Sequence, residues 1–440
     1  PIDRITWRQG LTIESCMKGL FVRRLQRSAN VVSSRGIWLY PLVLILLGSQ
    51  ICAQAQIDPE HRRLIQLGYN QPLEGRCPIA AYGFYYYNKP SFYSTNLTLR
   101  LAVAPIYVDS ELGFSKLLGA NTDVAIGLAG GGFADSYSEV RQGVYRREES
   151  FTGHGGEVSA SVYHRFRPDW LVPLWGILRA GVHQSYYEAD RETSGLFRMP
   201  DDRTSAIVRT GLRWGGREPT LTTPLAMELS VWYEGQFRTD SAAYGFMGDR
   251  QSESDSHLFW GRALLKYTFD PSYQEIEFSL TTGASIDPDR FSAYRLGGLL
   301  PFASEFPLNI PGYYFHELSA RQFALLNGQY SFPLEATKRW NFTLFAASGA
   351  AQYLAGLEQP GRWHSGAGGG ITYYSPAAAW FVTLIYAHGF DAIRTQGRGA
   401  NQIGLLFQYD FGARKQAHPR RFQPGVSPYR SRGGERLIFD

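Results

Sequence analysis

The stretch "GGGITYYSPAAAWFVTLIYAHGF", residues 368–390, decides how this chain is read. It holds no Asp, Glu, Lys or Arg, and glycines, threonines and His388 interrupt two aromatic-rich runs around Ser375-Pro376. A helix that crosses a bilayer needs about 20 continuous apolar residues, and this run is broken well short of that. A solvated loop would be far more polar. Beyond the Ser-Pro pair the side chains alternate. Trp380, Val382, Leu384 and Tyr386 share one face, while Phe381, Thr383, Ile385, Ala387 and Gly389 share the other. That period predicts strands joined by a turn, where Pro removes no ladder hydrogen bond. The first face is apolar enough to meet lipid.

The same period runs through the chain. In "NLTLRLAVA" Leu97, Leu99, Leu101 and Val103 oppose Thr98 and Arg100. In "GEVSASVYHRF" Val158, Ala160 and Val162 oppose Glu157, Ser159 and Ser161. In "LAMELSVWYEG" Leu229 and Val231 oppose Glu228 and Ser230, and "FWGRALLKYTF", "EIEFSLT" and "NQIGLLFQYDF" continue the pattern. A soluble sandwich would bury the apolar faces; a membrane barrel turns them outward and fills its lumen with the polar ones. Three features favour the barrel. The polar faces repeatedly carry charge, and the strands are longer than those of soluble sheets. Aromatics gather at strand ends (Trp170, Trp175, Trp214, Tyr233, Phe269, Tyr409, Phe411), where an interfacial girdle sits. Tight turns at 116–122, 269–273 and 374–378 alternate with long polar loops at 133–155, 187–203 and 237–257. The expected fold is an all-β, transmembrane antiparallel barrel of about sixteen strands over 79–411.

Composition agrees: aromatics make up 15% and charged residues only 19% of 440 residues, with 47 glycines. The net charge of +5 comes from the ends: 1–55 and 412–440 carry +5 each, which leaves −5 for 56–411. That distribution offers no basic platform for nucleic acid. "RGIWLYPLVLILLGSQICAQAQ" has a basic flank, a short apolar run and Ala53-Gln54-Ala55, the parts of a secretory signal. Residues 1–55 are therefore read as a signal region, with a start at Met17 and cleavage after Ala55. Residues 56–78 are expected as a short periplasmic segment, with a helix in "DPEHRRLIQLGYNQP", and 412–440 as a basic disordered tail. Cys77 is then the one thiol of the mature chain, so no intrachain disulfide is expected.

The second half resembles the BamA/TamA superfamily of outer-membrane barrels, the bacterial surface antigen domain. The resemblance covers roughly 205–411. It rests on the order and spacing of "GLRWGGREPTLTTPLAMELSVWYEG", "FSAYRLGGLLPF", "NIPGYYFHEL", "LLNGQYSFPL", "NFTLFAASGAAQY" and "HSGAGGGITYYSP", with a last strand ending at Phe411. Upstream, "CPIAAYGFYYYNKP" looks like a first strand. The resemblance implies a long loop folded into the lumen. The family's loop motif, Val/Ile-Arg-Gly-Phe/Tyr, stands here as Ile310-Pro311-Gly312-Tyr313. Its partner motif, Phe-x-Asp-x-Gly, stands as Phe345-Ala346-Ala347-Ser348-Gly349. The Arg and the Asp that hold each other in the family are both gone. Losing one alone would strand a buried charge, whereas losing both is close to neutral. Tyr314, His316 and Glu317, with Tyr313, are the candidates for the contacts that fix the loop instead. Glycines of the last strands, Gly368, Gly369 and Gly404 among them, together with Phe411, mark a candidate lateral seam. The resemblance also implies periplasmic POTRA domains, for which 56–78 has no room.

Sequence motifs for chemistry are missing. The nine histidines are scattered without an H-E-x-x-H spacing, and no G-x-S-x-G occurs. His154, His183 and His257 sit near loops, within reach of Asp135 or Asp255, as a barrel hydrolase would need. No catalytic residue, metal or cofactor is expected. The function implied is insertion or translocation of protein or lipid at the outer membrane of a Gram-negative-type bacterium. The alternative is a passive pore or structural barrel. Partners would be membrane lipid and unfolded outer-membrane or secreted clients, and the barrel would be a monomer.

Overall fold

The computed structural model describes residues 61–412, except 79, 171, 217–224, 270–271, 301–305 and 378. The signal region, the Met17 start and residues 413–440 of the tail lie outside the described residues. Sixteen strands form one closed antiparallel wall: β1 Arg62–Pro72, β2 Ala80–Pro90, β3 Leu97–Ala104, β4 Tyr107–Phe114, β5 Thr122–Gly131, β6 Val144–Arg165, β7 Leu174–Ala189 and β8 Arg203–Gly216. There follow β9 Leu225–Arg238, β10 Asp255–Phe269, β11 Gln274–Ile286, β12 Leu318–Pro333, β13 Trp340–Tyr353, β14 Trp363–Tyr374, β15 Trp380–Arg394 and β16 Gly397–Asp410. Each pairs with its neighbour, and β1 closes on β16 from Leu64–Asp410 to Pro72–Gln402.

The wall is inverted relative to a soluble protein. Leu384 and Tyr386 of the opening stretch are 60% and 51% exposed, while Thr383 and Ala387 on either side of them are 0%. Leu229 and Val231 likewise face out, and Glu228 and Ser230 face in. An apolar exterior around a polar interior is the arrangement of a membrane-spanning barrel. Inside, charges are paired: Arg100 with Asp109 at 3.0 Å, Arg179 with Glu157 at 2.8 Å, and Arg262 with Glu228 at 2.7 Å. Charges buried without such partners would be prohibitively costly. Trp175, expected in the girdle, points inward instead, with the Arg165 guanidinium 5.8 Å from its ring.

The N-terminal segment departs from expectation. Residues 62–72 form β1, not a helix, and the barrel begins at Arg62 rather than at 79, so "CPIAAYGFYYYNKP" contributes the second strand. The reason is visible in "RRLIQLGYNQP": Leu64, Gln66, Gly68 and Asn70 are buried, and Leu67 and Tyr69 are exposed. Short polar residues on the inner face masked the alternation.

Long loops lie on the rim opposite Arg62 and Asp410. Three short segments, Phe197–Arg198, Ala243–Phe246 and Arg250–Gln251, form a small sheet there. Tyr137, Phe151, Phe197 and Tyr244 pack with Phe291 into an aromatic cluster on this side. Glu139 within it is met by Arg290 at 3.2 Å and Arg250 at 3.7 Å.

Candidate functional site

The longest connection, 287–317 between β11 and β12, carries described residues that pack against buried residues of the wall. Tyr294–Leu296 pairs with Leu318–Ala320 at the start of β12. Gly297 and Gly298 then reverse the chain at φ values of 126° and 97°, which only glycine adopts without strain. The Gly297 amide donates to the Leu308 carbonyl at 2.9 Å, and Gly298 bridges to Ile310. Ile310, Tyr313, Tyr314 and Glu317 are all buried.

The tip Ile310-Pro311-Gly312-Tyr313 presses onto β14, β15 and β16. Gly366 and Gly389 face each other in the register of β14 and β15. A Cβ on Gly366 would stand 2.1 Å from the Pro311 carbonyl oxygen. One on Gly312, itself at φ 84°, would stand 2.0 Å from the Gly389 nitrogen. Three glycines thus let loop backbone lie directly on wall backbone. The Gly312 amide donates to Gln402 Oε1 of β16 at 3.3 Å.

Beside this contact the loop is held by charge. Arg394, at the end of β15, donates to both Glu317 oxygens, at 2.8 and 3.0 Å, and to the Gly312 carbonyl at 3.1 Å. Its guanidinium lies 3.7 Å from the centre of the Tyr314 ring. The β15–β16 register shifts between Gly389 and Ile393, a bulge that re-aims the strand end just where Arg394 stands. Burial raises the Glu317 carboxyl above its usual range, with Arg394 opposing. Burial pushes the Tyr314 hydroxyl up to about 12, so it stays a donor, to the Glu74 carbonyl at 2.9 Å. Glu74 also accepts from the Asn401 amide at 2.6 Å, which ties the loop to the β1–β2 connection. Tyr313 meets His364 Nδ1 at 2.9 Å, and the Tyr353 hydroxyl meets its other nitrogen. His316 stacks on Phe315 at 3.7 Å, and burial followed by Arg295 holds it well below its ordinary value.

Phe345, Ala347 and Gly349 share the lumenal face of β13. Ala347 packs in one cluster with Ile310 and Tyr313, Phe345 packs against the cluster containing Leu299 and Leu300, and Gly349 stands opposite His364. The loop–wall ion pair is therefore present in opposite sense to the one the resemblance implies: the carboxylate is on the loop and the guanidinium on the wall.

Of the seam candidates, Gly404 and Phe411 lie where β1 meets β16. Gly404 opposes Asn70, and the Phe411 amide donates to the Arg63 carbonyl at 2.9 Å. Gly368 and Gly369 lie in β14, paired to Ala387 and Tyr386, two strands from the seam. The seam carries a buried bond from Gln66 to Gln408 at 3.0 Å, and the Tyr82 hydroxyl donates to Gln66 at 3.0 Å. Among the loop-rim histidines, His183 bonds Asp135 at 2.7 Å, His257 stands 3.3 Å from Asp255 and His154 stands 2.9 Å from Glu188. No serine hydroxyl among the described residues bonds His183. Sequence reading missed Arg394, Glu74 and the Gly366–Gly389 cradle. A lone Arg at the lumenal end of a strand, one strand from the seam, was the available signal.

No protein-family model matches the chain, and a search of curated proteins finds no match. Solved structures do align. CdiB from Acinetobacter baumannii superposes over 80% of this chain and 60% of its own, with TM-score 0.52 and 9% identity. BamA from Haemophilus ducreyi lacking POTRA domains 1–3 superposes over 80% and 71%, with TM-score 0.50 and 9% identity. The chain has the fold of the BamA and CdiB barrels. CdiB from Escherichia coli gives the same picture, over 80% and 63%, with TM-score 0.50 and 12% identity. The likeness is one of fold, and the chain spans 60% of the length of the Acinetobacter CdiB chain.

Proposed function

We propose that this protein is an outer-membrane barrel, of a Gram-negative-type bacterium, that assists insertion or translocation of protein at that membrane. The observation that carries the reading is the β11–β12 loop docked on β14–β16, against the closing strand, in a barrel whose fold is shared with BamA and CdiB. The seam pairs the first described strand with the last, so no connection between the two holds them together, and it is where the wall can part. Parting would expose two strand edges with free backbone donors and acceptors, a template for an incoming strand. The loop touches β16 through Gln402 and the β1–β2 connection through Glu74, so its position is coupled to both sides of that seam. In this reading the protein is a non-enzymatic monomer with membrane lipid around it. Its clients are unfolded outer-membrane or secreted proteins.

One observation favours a second reading, a passive or structural barrel: the seam is paired without interruption from Leu64 to Pro72. The test is depletion of the protein followed by quantification of the outer-membrane proteome against an undepleted control. A fall in many barrels, or in one surface protein, supports the assembly role. A proteome unchanged except for the depleted protein supports the second reading.

A further inference from the structure

Away from the docked tip, the loop-side half of the lumen encloses a cavity of about 280 Å³ between the starts of β8 and β10, the end of β9 and the β11–β12 loop. Most charge around it is neutralised in place: Arg238 binds Asp289 at 2.7 Å, Arg290 binds Glu139 at 3.2 Å, and Arg209 pairs with Glu234. Two guanidinium groups differ. Arg203 is buried, donates to the Tyr187 hydroxyl at 2.9 Å and lies 3.9 Å from the centre of the Phe291 ring. Arg295 donates to the Ser138 and His316 carbonyls at 2.7 and 3.0 Å and lies 4.7 Å from the Tyr137 ring. Neither has a carboxylate within ion-pair distance among the described residues. The rings beneath them, Tyr137 and Phe291, are neighbours at 6.1 Å, so both cations belong to one aromatic-floored chamber. Buried cations are ordinarily matched by an anion. Two guanidiniums without a carboxylate partner, facing one cavity, are a receptor for one.

We propose that this cavity binds a soluble phosphate monoester carrying a ring-sized body. Arg203 and Arg295 would hold the phosphoryl oxygens, with Phe291 and Trp260 beside the body. A guanidinium fork matches the geometry of phosphate oxygens, and aromatic faces suit a ring. The volume suits a molecule of monosaccharide or phenyl size, below the usual range for drug-sized ligands. Because the chamber lies inside the wall, its ligand arrives through the lumen and not from the bilayer.

The test is titration calorimetry on the full chain in detergent, with phenyl phosphate as probe and phenol and inorganic phosphate as controls. Saturable binding of phenyl phosphate, at least about tenfold tighter than either control, is expected because charge and ring act together. Arg203→Gln and Arg295→Gln should each weaken it about tenfold or more, while the variants keep the heat-dependent gel migration of a folded barrel. If Arg203→Gln does not fold, Phe291→Leu replaces it, with a severalfold loss expected from removing the ring. Phenyl phosphate bound no better than phenol, or binding unchanged in the folded variants, overturns the proposal.

Discussion

Replacing Glu317 by Gln should release the β11–β12 loop. In the structure the Glu317 and Arg394 side chains are 0% and 1% exposed, and Arg394 reaches both carboxylate oxygens. The amide keeps the shape but removes the charge that the guanidinium answers, leaving it the Gly312 and Ile393 carbonyls and the Tyr314 ring as its other partners. Stranding one member of a buried pair costs about 3–5 kcal/mol. That cost is relieved most cheaply by undocking the loop, so it should appear as local opening rather than loss of the barrel. At about 1.4 kcal/mol per factor of ten, opening should increase by roughly two to three and a half powers of ten. Hydrogen exchange of 306–317 in detergent or nanodiscs reads it directly. Arg394→Met alone should do the same by stranding the carboxylate. The pair Glu317→Leu with Arg394→Met removes both charges and should cost much less than the sum of the single changes, with a coupling on the order of 3 kcal/mol. Additive losses in the pair, or exchange unchanged in Glu317→Gln, would refute the claim that this ion pair holds the loop.

Other consequences follow from the same contacts. Gly366→Val should push the tip off the wall, because even a Cβ there meets Pro311 at 2.1 Å; the cost of about 1–3 kcal/mol should appear as faster exchange of the loop, and wild-type protection would contradict the cradle. Glu139 is buried, which alone would raise its pKa, yet Arg290 and Arg250 hold it below the usual carboxylate range. Its stabilising contribution is therefore full above the unfolded value of roughly 4.3 and lost as pH falls through the lower folded value. Protection across 137–151, relative to the intrinsic exchange rate at each pH, should fall in acid, and Glu139→Gln should abolish that acid dependence. In planar bilayers the purified protein should conduct weakly, since the docked loop and paired charges narrow the interior, and deleting 299–312 should raise conductance severalfold; equal conductance would mean the loop is no plug.

Much of the fold was legible because a lipid-facing wall needs nothing but alternation. Leu229, Val231, Leu384 and Tyr386 declare their face without any partner. The strand β1 was hidden because Gly68 and Asn70 give its inner face no hydrophobic contrast and Arg62-Arg63 reads like the start of a solvated segment. Tyr313, Tyr314, His316 and Glu317 were singled out in the sequence because Pro311 and Ala347 stand where a charge pair was implied. Arg394 was not, since its distance in sequence from Glu317 is bridged only by barrel closure and a bulge. Glycines in β14 and β15 read as weakness of a seam, yet Gly366 and Gly389 serve close approach of the loop instead. Sequence distinguishes poorly between a glycine that lacks a neighbour and one that has a neighbour too near.

The most direct test of the proposed assembly role is to lock the seam. Gln66 and Gln408 face each other across it, in register and already in side-chain contact at 3.0 Å. The adjoining Phe411 amide bonds the Arg63 carbonyl, which marks alternate positions, including this one, as the non-hydrogen-bonded pairs suited to a disulfide. Gln66→Cys with Gln408→Cys, in a chain with Cys77→Ser, should oxidise readily. Expressed in depleted cells, the locked barrel should fail to restore the outer-membrane proteins lost on depletion, and reductant should rescue it. Full restoration by the oxidised barrel would contradict a function that works by parting β1 from β16.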